Sequence, residues 1–248
     1  MSKIGFGIDV GGSGIKGARV DLETGEFVGD RIKILTPKPA TTDAVAETIV
    51  AILNQAEWDG PVGITLPSVV KNQHAHTAAN IDPSWVNTDL TELFSRHLPE
   101  RRVHVLNDAD AAGLAEVKFG HPDASHGSVT TLGTGIGSAF FQDGVLFPNT
   151  ELGHLAFKNS EVEKYASSAV KDNEELSYTQ WAKRVSKVLT EFERLFWPSL
   201  FIAGGGISRK SEKWIPKLTS TTPVVAAELR NRAGIVGAAM AVEQGLLP

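Results

Sequence analysis

Short apolar runs alternate with longer segments whose apolar positions recur at helical spacing, and this alternation predicts an α/β protein. In the first half, strands are predicted over residues 4–10, 15–21, 26–35, 62–66 and 103–106, and helices over 42–57, 90–97 and 109–119. In the second half, strands are predicted over 128–132, 137–141, 200–203 and 224–226, and helices over 178–197 and 234–243. Each half therefore starts with strands that meet at a glycine-rich corner and continues with alternating helices and strands.

Two of the predicted helices are rich in apolar residues. The helix over 178–197 has one apolar face, formed by Trp181, Val185, Val188, Leu189, Phe192, Leu195 and Phe196. The last helix, over 234–243, is mostly apolar. The apolar residues of either helix could be buried inside one subunit or in the interface of a homodimer. A homodimer is the assembly we expect.

Composition narrows the classes of protein that this chain can represent. Of its 248 residues, 42% are hydrophobic and 21% are charged, which is typical of a soluble globular protein. The net charge of −5 gives no general attraction for nucleic acid, so any anion site must be local. There is no cysteine, which excludes disulfides and thiolate metal sites. No secretory signal is visible and no apolar run approaches the roughly 20 residues that cross a membrane, so we expect a cytoplasmic protein.

The first glycine corner, Gly11-Gly12-Ser13-Gly14, joins two predicted strands between Asp9 and Lys16. A turn of this kind can present backbone N–H groups to an anion, and Lys16 can add a positive charge. Asp9 could hold Mg²⁺ directly or through water. A tight hairpin in which Asp9 and Ser13 satisfy the turn amides would need the same residues, so this motif alone leaves both interpretations open.

Two further glycine clusters follow. Gly133-Thr134-Gly135-Ile136-Gly137 joins two predicted strands, so it is neither a dinucleotide fingerprint, which needs a helix there, nor a P-loop, which ends in Gly-Lys-Ser/Thr. Gly204-Gly205-Gly206 ends a strand and opens a helix, where a phosphate could approach the backbone. Close packing of strand on helix would also explain this third cluster. Two strand-to-strand corners in matching positions of similar halves indicate phosphate binding more strongly than either corner alone.

Polar residues stand beside these corners in the sequence. Asn107 and Asp108 follow a predicted strand and begin a helix, where one of them can serve as the N-cap. A cap explains only one of the two, so Asp108 could instead accept a proton from a hydroxyl group. Glu151 and His154 lie in a glycine-containing loop, and Glu163 lies in the first turn of a helical stretch. Each has an ordinary explanation as a solvated or helix-stabilising residue, but together they favour a ligand with several hydroxyls.

In their order, these motifs resemble those of the ROK family of repressors, open reading frames and sugar kinases. The resemblance covers nearly the whole chain and includes Glu163-Lys164-Tyr165-Ala166-Ser167. Segments 131–139 and 148–154 look like those of the actinobacterial polyphosphate glucokinases, which accept polyphosphate and ATP. The resemblance implies an actin-like, ribonuclease-H-type fold of two α/β domains with a central cleft. The implied small domain covers residues 1–107, with 234–248 packing on it, and the large domain covers 108–233.

The resemblance also implies a reaction, in which polyphosphate or ATP donates a phosphoryl group to the 6-hydroxyl of glucose, with mannose as a further acceptor. Asp108 is the implied catalytic base. The implied sugar contacts are Ser68, Asn80, Asn107, Asp108, Glu151, His154 and Glu163. The implied phosphate or nucleotide contacts, with Mg²⁺ near Asp9, are Asp9, Gly11, Gly12, Ser13, Gly14, Lys16, Gly133, Thr134, Gly135, Gly137, Gly204, Gly205 and Gly206. Further cations for a polyphosphate chain are expected among Lys16, Arg19, Lys164, Arg209 and Lys210.

Departures from the family pattern guide two further expectations. Many ROK proteins carry a cysteine-rich zinc segment where residues 158–162 stand here, so zinc is not expected and His154 is expected to serve the sugar. A non-catalytic sugar-sensing regulator should carry an N-terminal helix-turn-helix and a damaged base position, and this sequence is expected to have neither. A hexose kinase that uses only ATP stays open, because Gly204-Gly205-Gly206 is consistent with ATP.

Overall fold

The computed structural model describes residues 3–79, 81–122 and 135–248, which fall into two compact units. The first unit consists of Met1–Ala115 with Arg232–Pro248, and the second consists of Glu116–Asn231. The boundary lies after Ala115 rather than after Asn107, because the helix that follows Asn107 packs against the C-terminal helix. The first unit is therefore the one with more residues, whereas the expectation was a small first domain.

The helices and strands have the following bounds. Up to Ala115 the elements are β1 (Ile4–Gly11), β2 (Gly14–Asp21), β3 (Phe27–Ile34), α1 (Thr42–Gln55), β4 (Val62–Leu66), β5 (Val70–Lys71), β6 (His74–Ala75), β7 (Thr88–Asp89), α2 (Leu90–His97), β8 (Val103–Asn107) and α3 (Asp108–Ala115). The described part of the second unit contains β9 (Phe140–Gln142), β10 (Val145–Phe147), β11 (Ala156–Phe157), β12 (Ser160–Glu161), α4 (Val162–Ala166), α5 (Ser168–Asn173), α6 (Tyr178–Phe196), β13 (Phe201–Ala203) and β14 (Val224–Ala226). The last element is α7 (Ala233–Gln244), which belongs to the first unit.

A five-stranded sheet with the order β3-β2-β1-β4-β8 organises the first unit. Its central strand β1 is antiparallel to β2 and parallel to β4. Because side chains alternate along a strand, Phe6 and Ile8 point to one face, where α1 contributes Ile49 and Ile52 to the same buried core. The neighbouring residue Gly7 therefore points to the opposite face.

Helix α7 lies directly on that opposite face, and two glycines make this possible. A Cβ atom on Gly7 would lie 1.8 Å from the Ile235 oxygen, and one on Gly63 would lie 1.7 Å from the Ala238 oxygen. The helix runs antiparallel to β1, since Gly234 lies beside Asp9 and a Cβ on Gly5 would contact Ala239. The end of the chain therefore packs on β1 and β4, with further contacts to β2 and β8.

In the second unit, α6 supplies much of the core. A capping box of Ser177 and Gln180 begins the helix, and the buried residue Trp181 meets Trp214 edge-on with ring centroids 4.8 Å apart. The predicted apolar face is buried as far as Phe192, whereas Leu195 and Phe196 at its end are 42% and 37% exposed. The physical reason is that the core contacts of α6 end at Phe192 and the chain turns away through Trp197, a left-handed residue that is 88% exposed.

Two further predictions need correction. The helix expected over 109–119 changes after Ala115 into a π-helical turn, Glu116–Gly120. There the buried Glu116 carboxylate accepts hydrogen bonds from the Glu228 and Leu229 N–H groups. The strand expected over 137–141 is limited to Phe140–Gln142, and the one expected over 128–132 lies outside the described residues. Within the described ranges, no helix is both long and apolar enough to cross a membrane.

Candidate active site

The first glycine corner is a tight turn between β1 and β2. Gly11 pairs with Gly14, and Gly12 and Ser13 form the exposed tip. The buried Thr36 hydroxyl donates to the Gly11 oxygen at 2.5 Å and fixes the base of the turn. The exposed backbone at the tip has the accessibility that anion binding requires.

Asp9 lies just before this corner, and its partners follow from the strand register. It is opposite Lys16 on β2 and opposite Thr65 on β4. Lys16 Nζ is 2.9 Å from Asp9 Oδ2, and the Thr65 hydroxyl donates to Asp9 Oδ1 at 3.3 Å. The first turn of α7 also lies near, because a Cβ on Gly234 would be 3.6 Å from Oδ1, and a helix N-terminus favours negative charge.

Thr65 is a site residue that the sequence analysis missed. It is fully buried in the middle of β4, where the other residues are apolar or glycine. A single polar residue in a buried strand must find a hydrogen-bond partner. That signal was present in the sequence, but the identity of the partner depends on which strands pair.

Asp9 is also the residue expected to bind Mg²⁺. In the described ranges, no three His, Asp or Glu side chains are grouped so that they could hold a metal ion. Mg²⁺ usually keeps several waters and binds one or two carboxylates together with substrate phosphates. A single partly exposed carboxylate beside a glycine corner fits that kind of site, and the metal contact stays a prediction.

Asn107 and Asp108 divide two tasks between them. The Asn107 Oδ1 atom accepts hydrogen bonds from the N–H groups of Ala109 at 2.8 Å and Asp110 at 3.2 Å, so Asn107 caps α3. Its Nδ2 donates to the Ser68 oxygen at 3.1 Å, and the residue is only 7% exposed. Asp108 is exposed, and its Oδ1 accepts from the Ala109 N–H at 2.8 Å. Because Asn107 provides the cap, the Asp108 carboxylate is not needed for that purpose at the start of α3.

Two other predicted sugar contacts of the first unit have different outcomes. Ser68 is buried, and its hydroxyl donates to the Thr77 oxygen at 2.7 Å. In this arrangement Ser68 supports Asn107 through its carbonyl group rather than presenting its hydroxyl to a ligand. Asn80 lies outside the described residues.

The loop that carries Glu151 and His154 packs against the second glycine corner. A Cβ on Gly153 would lie 2.2 Å from the Ile136 oxygen, so only glycine allows this approach. The exposed His154 imidazole lies between two carboxylates, 3.9 Å from Glu151 and 3.6 Å from Glu161. Glu161 was not predicted, and no sequence pattern marks it.

Glu163 reaches the same corner from α4. Its Oε2 accepts a hydrogen bond from the Ile136 N–H at 2.8 Å. A Cβ on Gly135 would lie 2.4 Å from that oxygen. Of the other residues predicted in this corner, Gly137 is described, whereas Gly133 and Thr134 lie outside the described residues.

Two hydroxyl residues that were not predicted join the corner to the loop. The buried Ser138 hydroxyl donates to the Thr150 oxygen at 2.6 Å and accepts from the Leu152 N–H at 3.1 Å. The Thr150 hydroxyl donates to the Ser138 oxygen at 2.9 Å. The corner and the loop are therefore connected through both residues.

The carboxylates of this unit have different electrostatic settings. Burial raises the pKa of Glu151, the Glu163 charge acts in the same direction, and His154 opposes them. By contrast, hydrogen bonding from Lys164 is the main cause that lowers the pKa of Glu161, with His154 acting in the same sense. Glu151 thus holds its proton more tightly than an ordinary glutamate does.

The third glycine cluster begins a segment of 3₁₀ turns, Gly206–Lys213, which is kinked at Lys210. Gly205 has a φ of 72°, a left-handed conformation that favours glycine, and a Cβ on Gly206 would meet nothing within 4 Å. Gly204 is buried, whereas Gly205 and Gly206 are exposed. A nucleotide contact at this cluster stays a prediction.

Three of the cations expected to contact polyphosphate already have protein partners. Lys16 pairs with Asp9, and Lys164 pairs with Glu161 at 3.1 Å. The Arg19 guanidinium donates to the Ala56 and Glu57 oxygens, just after the end of α1. Arg209 and Lys210, beside the third cluster, are exposed.

Comparison with known proteins identifies relatives along the whole chain. The ROK family profile matches residues 5–167. The chain is 55% identical to the polyphosphate glucokinase of Mycobacterium tuberculosis over 239 residues, which is 96% of this chain and 90% of that protein. The crystal structure of the inorganic polyphosphate/ATP-glucomannokinase from Arthrobacter sp. strain KM has a TM-score of 0.89 at 43% identity, covering 98% of this chain and 99% of that one. A ROK family glucokinase from Streptomyces griseus, in complex with glucose and AMPPNP, has a TM-score of 0.80 at 25% identity, over 98% and 100% of the two chains.

These likenesses place the fold in the actin-like class that ROK sugar kinases share. Within that class, the chain belongs to the ROK family. The fold class and the family expected from the order of the motifs are therefore confirmed.

Proposed function

We propose that this protein is a kinase that transfers the terminal phosphoryl group of inorganic polyphosphate or ATP to the 6-hydroxyl of glucose. The observation that carries the proposal is the exposed Asp108 carboxylate at the start of α3, where Asn107 takes over the helix cap. The proposal is supported by the similarity to the polyphosphate glucokinase of M. tuberculosis and to the glucomannokinase of Arthrobacter.

In the proposed reaction, Asp108 accepts the proton of the 6-hydroxyl while that oxygen attacks the terminal phosphorus. One phosphorus–oxygen bond forms to the sugar, and the bond to the rest of the donor breaks, which leaves ADP or a shortened polyphosphate. The exposed backbone of Gly12 and Ser13 contributes donors to the phosphates, as do the glycines of the second corner. Phosphoryl transfer depends chiefly on such positioning and on charge stabilisation.

The proposed sugar contacts of the second unit are Glu151, His154 and Glu163. Carboxylates accept hydrogen bonds from sugar hydroxyls, and an imidazole can donate or accept one. Mannose is proposed as a second acceptor, which is supported by the similarity to the glucomannokinase of Arthrobacter. Asn107 is proposed to act mainly by holding Asp108 in place.

Mg²⁺ is proposed to bind at Asp9 with the donor phosphates, where it would neutralise negative charge during transfer. Lys16 and Thr65 hold the Asp9 carboxylate next to the glycine corner, beside the first turn of α7. No zinc ion is proposed, since the segment that binds zinc in many ROK proteins is replaced here by residues 158–162.

A donor assay tests the proposed function directly. Purified protein is incubated with glucose, Mg²⁺ and either ATP or polyphosphate, and hexose 6-phosphate is measured. Product with both donors is the expected result. Product with ATP alone would favour the ATP-only hexose kinase, and glucose binding without product from either donor would favour a sugar-sensing regulator.

Arg209 and Lys210 are proposed to contact the distal part of a polyphosphate chain, because the other candidate cations are engaged within the protein. Replacing both with alanine should weaken polyphosphate use several-fold more than ATP use, since a long chain reaches further from the transferred group. Lys183 and Lys187, two exposed lysines of α6 in the same unit, provide a matched control pair. An equal effect of both pairs on both donors would contradict this path.

A homodimer and a cytoplasmic location complete the proposal. The dimer is supported by large exposed apolar residues of the second unit, which are Val145, Phe147, Leu195, Phe196 and Trp197. Light scattering on the wild type and on Trp197→Ser measures the mass in solution. A monomeric wild type would exclude this assembly.

A further inference from the structure

The carboxylate of Glu163 is bound to the second glycine corner before any substrate arrives. Its Oε2 accepts the Ile136 N–H at 2.8 Å. The residue is held in this position by α4, where Val162 is fully buried and its N–H donates to the Leu155 oxygen at 3.0 Å. An N–H group of the corner is therefore occupied by the same side chain that the proposed function assigns to the sugar.

The space at Gly135 confirms how close this approach is. A Cβ there would lie 2.4 Å from Glu163 Oε2 and 3.2 Å from its Cδ, well inside contact distance. A Cβ at this position would therefore push the carboxylate end of Glu163 away from the corner.

The loop that carries Glu151 contacts the corner at the carbonyl group of Ile136, whereas Glu163 binds the N–H group of the same residue. Gly153 lies against the Ile136 oxygen, where a Cβ would be 2.2 Å away. The Ser138 hydroxyl bonds to Thr150 and Leu152 of the same loop. Ile136 is therefore bonded to Glu163, and Ser138 is bonded to the loop that carries Glu151.

We infer that Glu163 is a positioning residue for the phosphate corner as well as a sugar ligand, so that the sugar and the phosphoryl donor strengthen each other's binding through it. This inference rests on the proposed function. A carboxylate offers about four acceptor sites, so Oε1 can accept a sugar hydroxyl while Oε2 keeps the Ile136 N–H. A bound sugar then holds Glu163 in place, and Glu163 holds the backbone at Gly135 and Ile136 in place for the donor.

Thermodynamic linkage makes this effect reciprocal and measurable. If the donor raises the affinity for sugar by some factor, the sugar raises the affinity for the donor by the same factor. Couplings of this type are typically about 5–150-fold. We expect at least about 5-fold here.

The experiment is isothermal titration of glucose in the absence and presence of saturating AMPPNP, which does not transfer its phosphoryl group. The wild type should bind glucose at least about 5-fold more tightly with AMPPNP. Glu163→Ala should lose this factor and should also bind AMPPNP more weakly without any glucose. A glutamate that only binds sugar would leave the AMPPNP affinity without glucose unchanged, and that result would overturn the inference. If AMPPNP does not bind, inorganic tripolyphosphate without Mg²⁺ replaces it.

Two further variants separate this role from simple loss of a sugar contact. Glu151→Gln removes a neighbouring carboxylate that has no corner N–H among its described partners, so it should weaken glucose binding and keep the coupling factor. Gly135→Ala should displace Glu163 and reduce the coupling although both carboxylates remain. Thermal unfolding of each variant verifies that it is folded, and Gly135→Ala serves as the test if Glu163→Ala is not.

Failure of the inference is distinguishable from failure of the proposed function. If the wild type forms no hexose 6-phosphate, the proposed function fails. If it forms product but shows no coupling, or if Glu163→Ala keeps the full coupling, the inference alone is wrong.

Discussion

The carboxylates of Asp9 and Asp108 in the first unit and that of Glu151 in the second unit lie in different surroundings. In the first unit, Asp9 has a lysine and a threonine on either side, and Asp108 is exposed next to an asparagine that caps the helix. In the second unit, Glu151 is partly buried near Glu163, and its pKa is raised by burial and by that neighbouring charge. Asp9 and Asp108 thus accept hydrogen bonds from neighbouring groups, whereas burial and a neighbouring charge disfavour the ionised form of Glu151. This difference suits a division between phosphoryl-transfer chemistry and recognition of sugar hydroxyls.

The largest expected effect is at Asp108 and tests the role of the first unit. Asp108→Asn should lower turnover by roughly 100-fold or more, because the amide cannot accept the hydroxyl proton. Its melting temperature should stay close to that of the wild type, since Asn107 provides the cap. Steady-state kinetics and thermal unfolding measure the two quantities, and near-normal turnover would remove Asp108 from the mechanism.

The neighbouring residue supplies the matched control. Asn107→Ala removes the α3 cap and should cost about 1 kcal/mol of stability. Its fall in turnover should be smaller than that of Asp108→Asn. If Asn107→Ala leaves the stability unchanged, the division of tasks between the two residues is wrong.

A smaller effect is expected at Thr65. It tests whether the hydrogen-bond partners of Asp9 contribute to its function. Thr65→Val keeps the shape of the buried side chain but removes the hydroxyl that donates to Asp9. We expect a roughly 10-fold loss of turnover and a higher Mg²⁺ concentration for half-maximal rate. Thr65→Ser, which restores a hydroxyl, should recover most of both quantities. A loss that Thr65→Ser does not recover would indicate packing rather than orientation of Asp9.

The smallest effect concerns Glu151 of the second unit, whose carboxylate is partly buried near Glu163. Because the pKa of Glu151 is raised in the folded protein, the folded state keeps a proton that the unfolded state has lost, and stability falls as pH rises above about 4.5. Glu151→Gln removes this loss and should raise the melting temperature at pH 8 by a few degrees, although it is also expected to weaken glucose binding. Thermal unfolding from pH 5 to 8 should give a flatter profile for the variant.

Glu161→Gln provides the comparison of opposite sign. Its carboxylate has a lowered pKa because of its hydrogen bond with Lys164, so its contribution is present at neutral pH and is lost as pH falls. The variant should be slightly less stable than the wild type at pH 8. If both glutamine variants shift stability in the same direction, the contrast between the two positions fails.

The sequence predicted the family and the fold class because the order of the glycine and acidic motifs along the chain can be read without knowing how the chain folds. It also predicted that one of Asn107 and Asp108 would be a cap, and the hydrogen bonds decide which. It could not predict Thr65 or Ser138 as supporting residues, because their partners are set by strand register and by loop packing. Nor could periodicity show that the apolar face of α6 leaves the core after Phe192, since that depends on where the chain turns.

The placement of α7 on the glycine face of β1 has a consequence for biosynthesis. The first unit cannot be completed until the ribosome has made residues 116–244, which takes roughly 6 to 26 seconds at about 5–20 residues per second. The second unit is then the first that can finish folding, although it comes later in the chain. The end of α7 lies beside the start of β1, with Lys3 Nζ 2.8 Å from Glu243 Oε2. A circular permutant that begins at Arg232 and joins residue 248 to the start of the chain by a short linker would therefore emerge with its first unit contiguous.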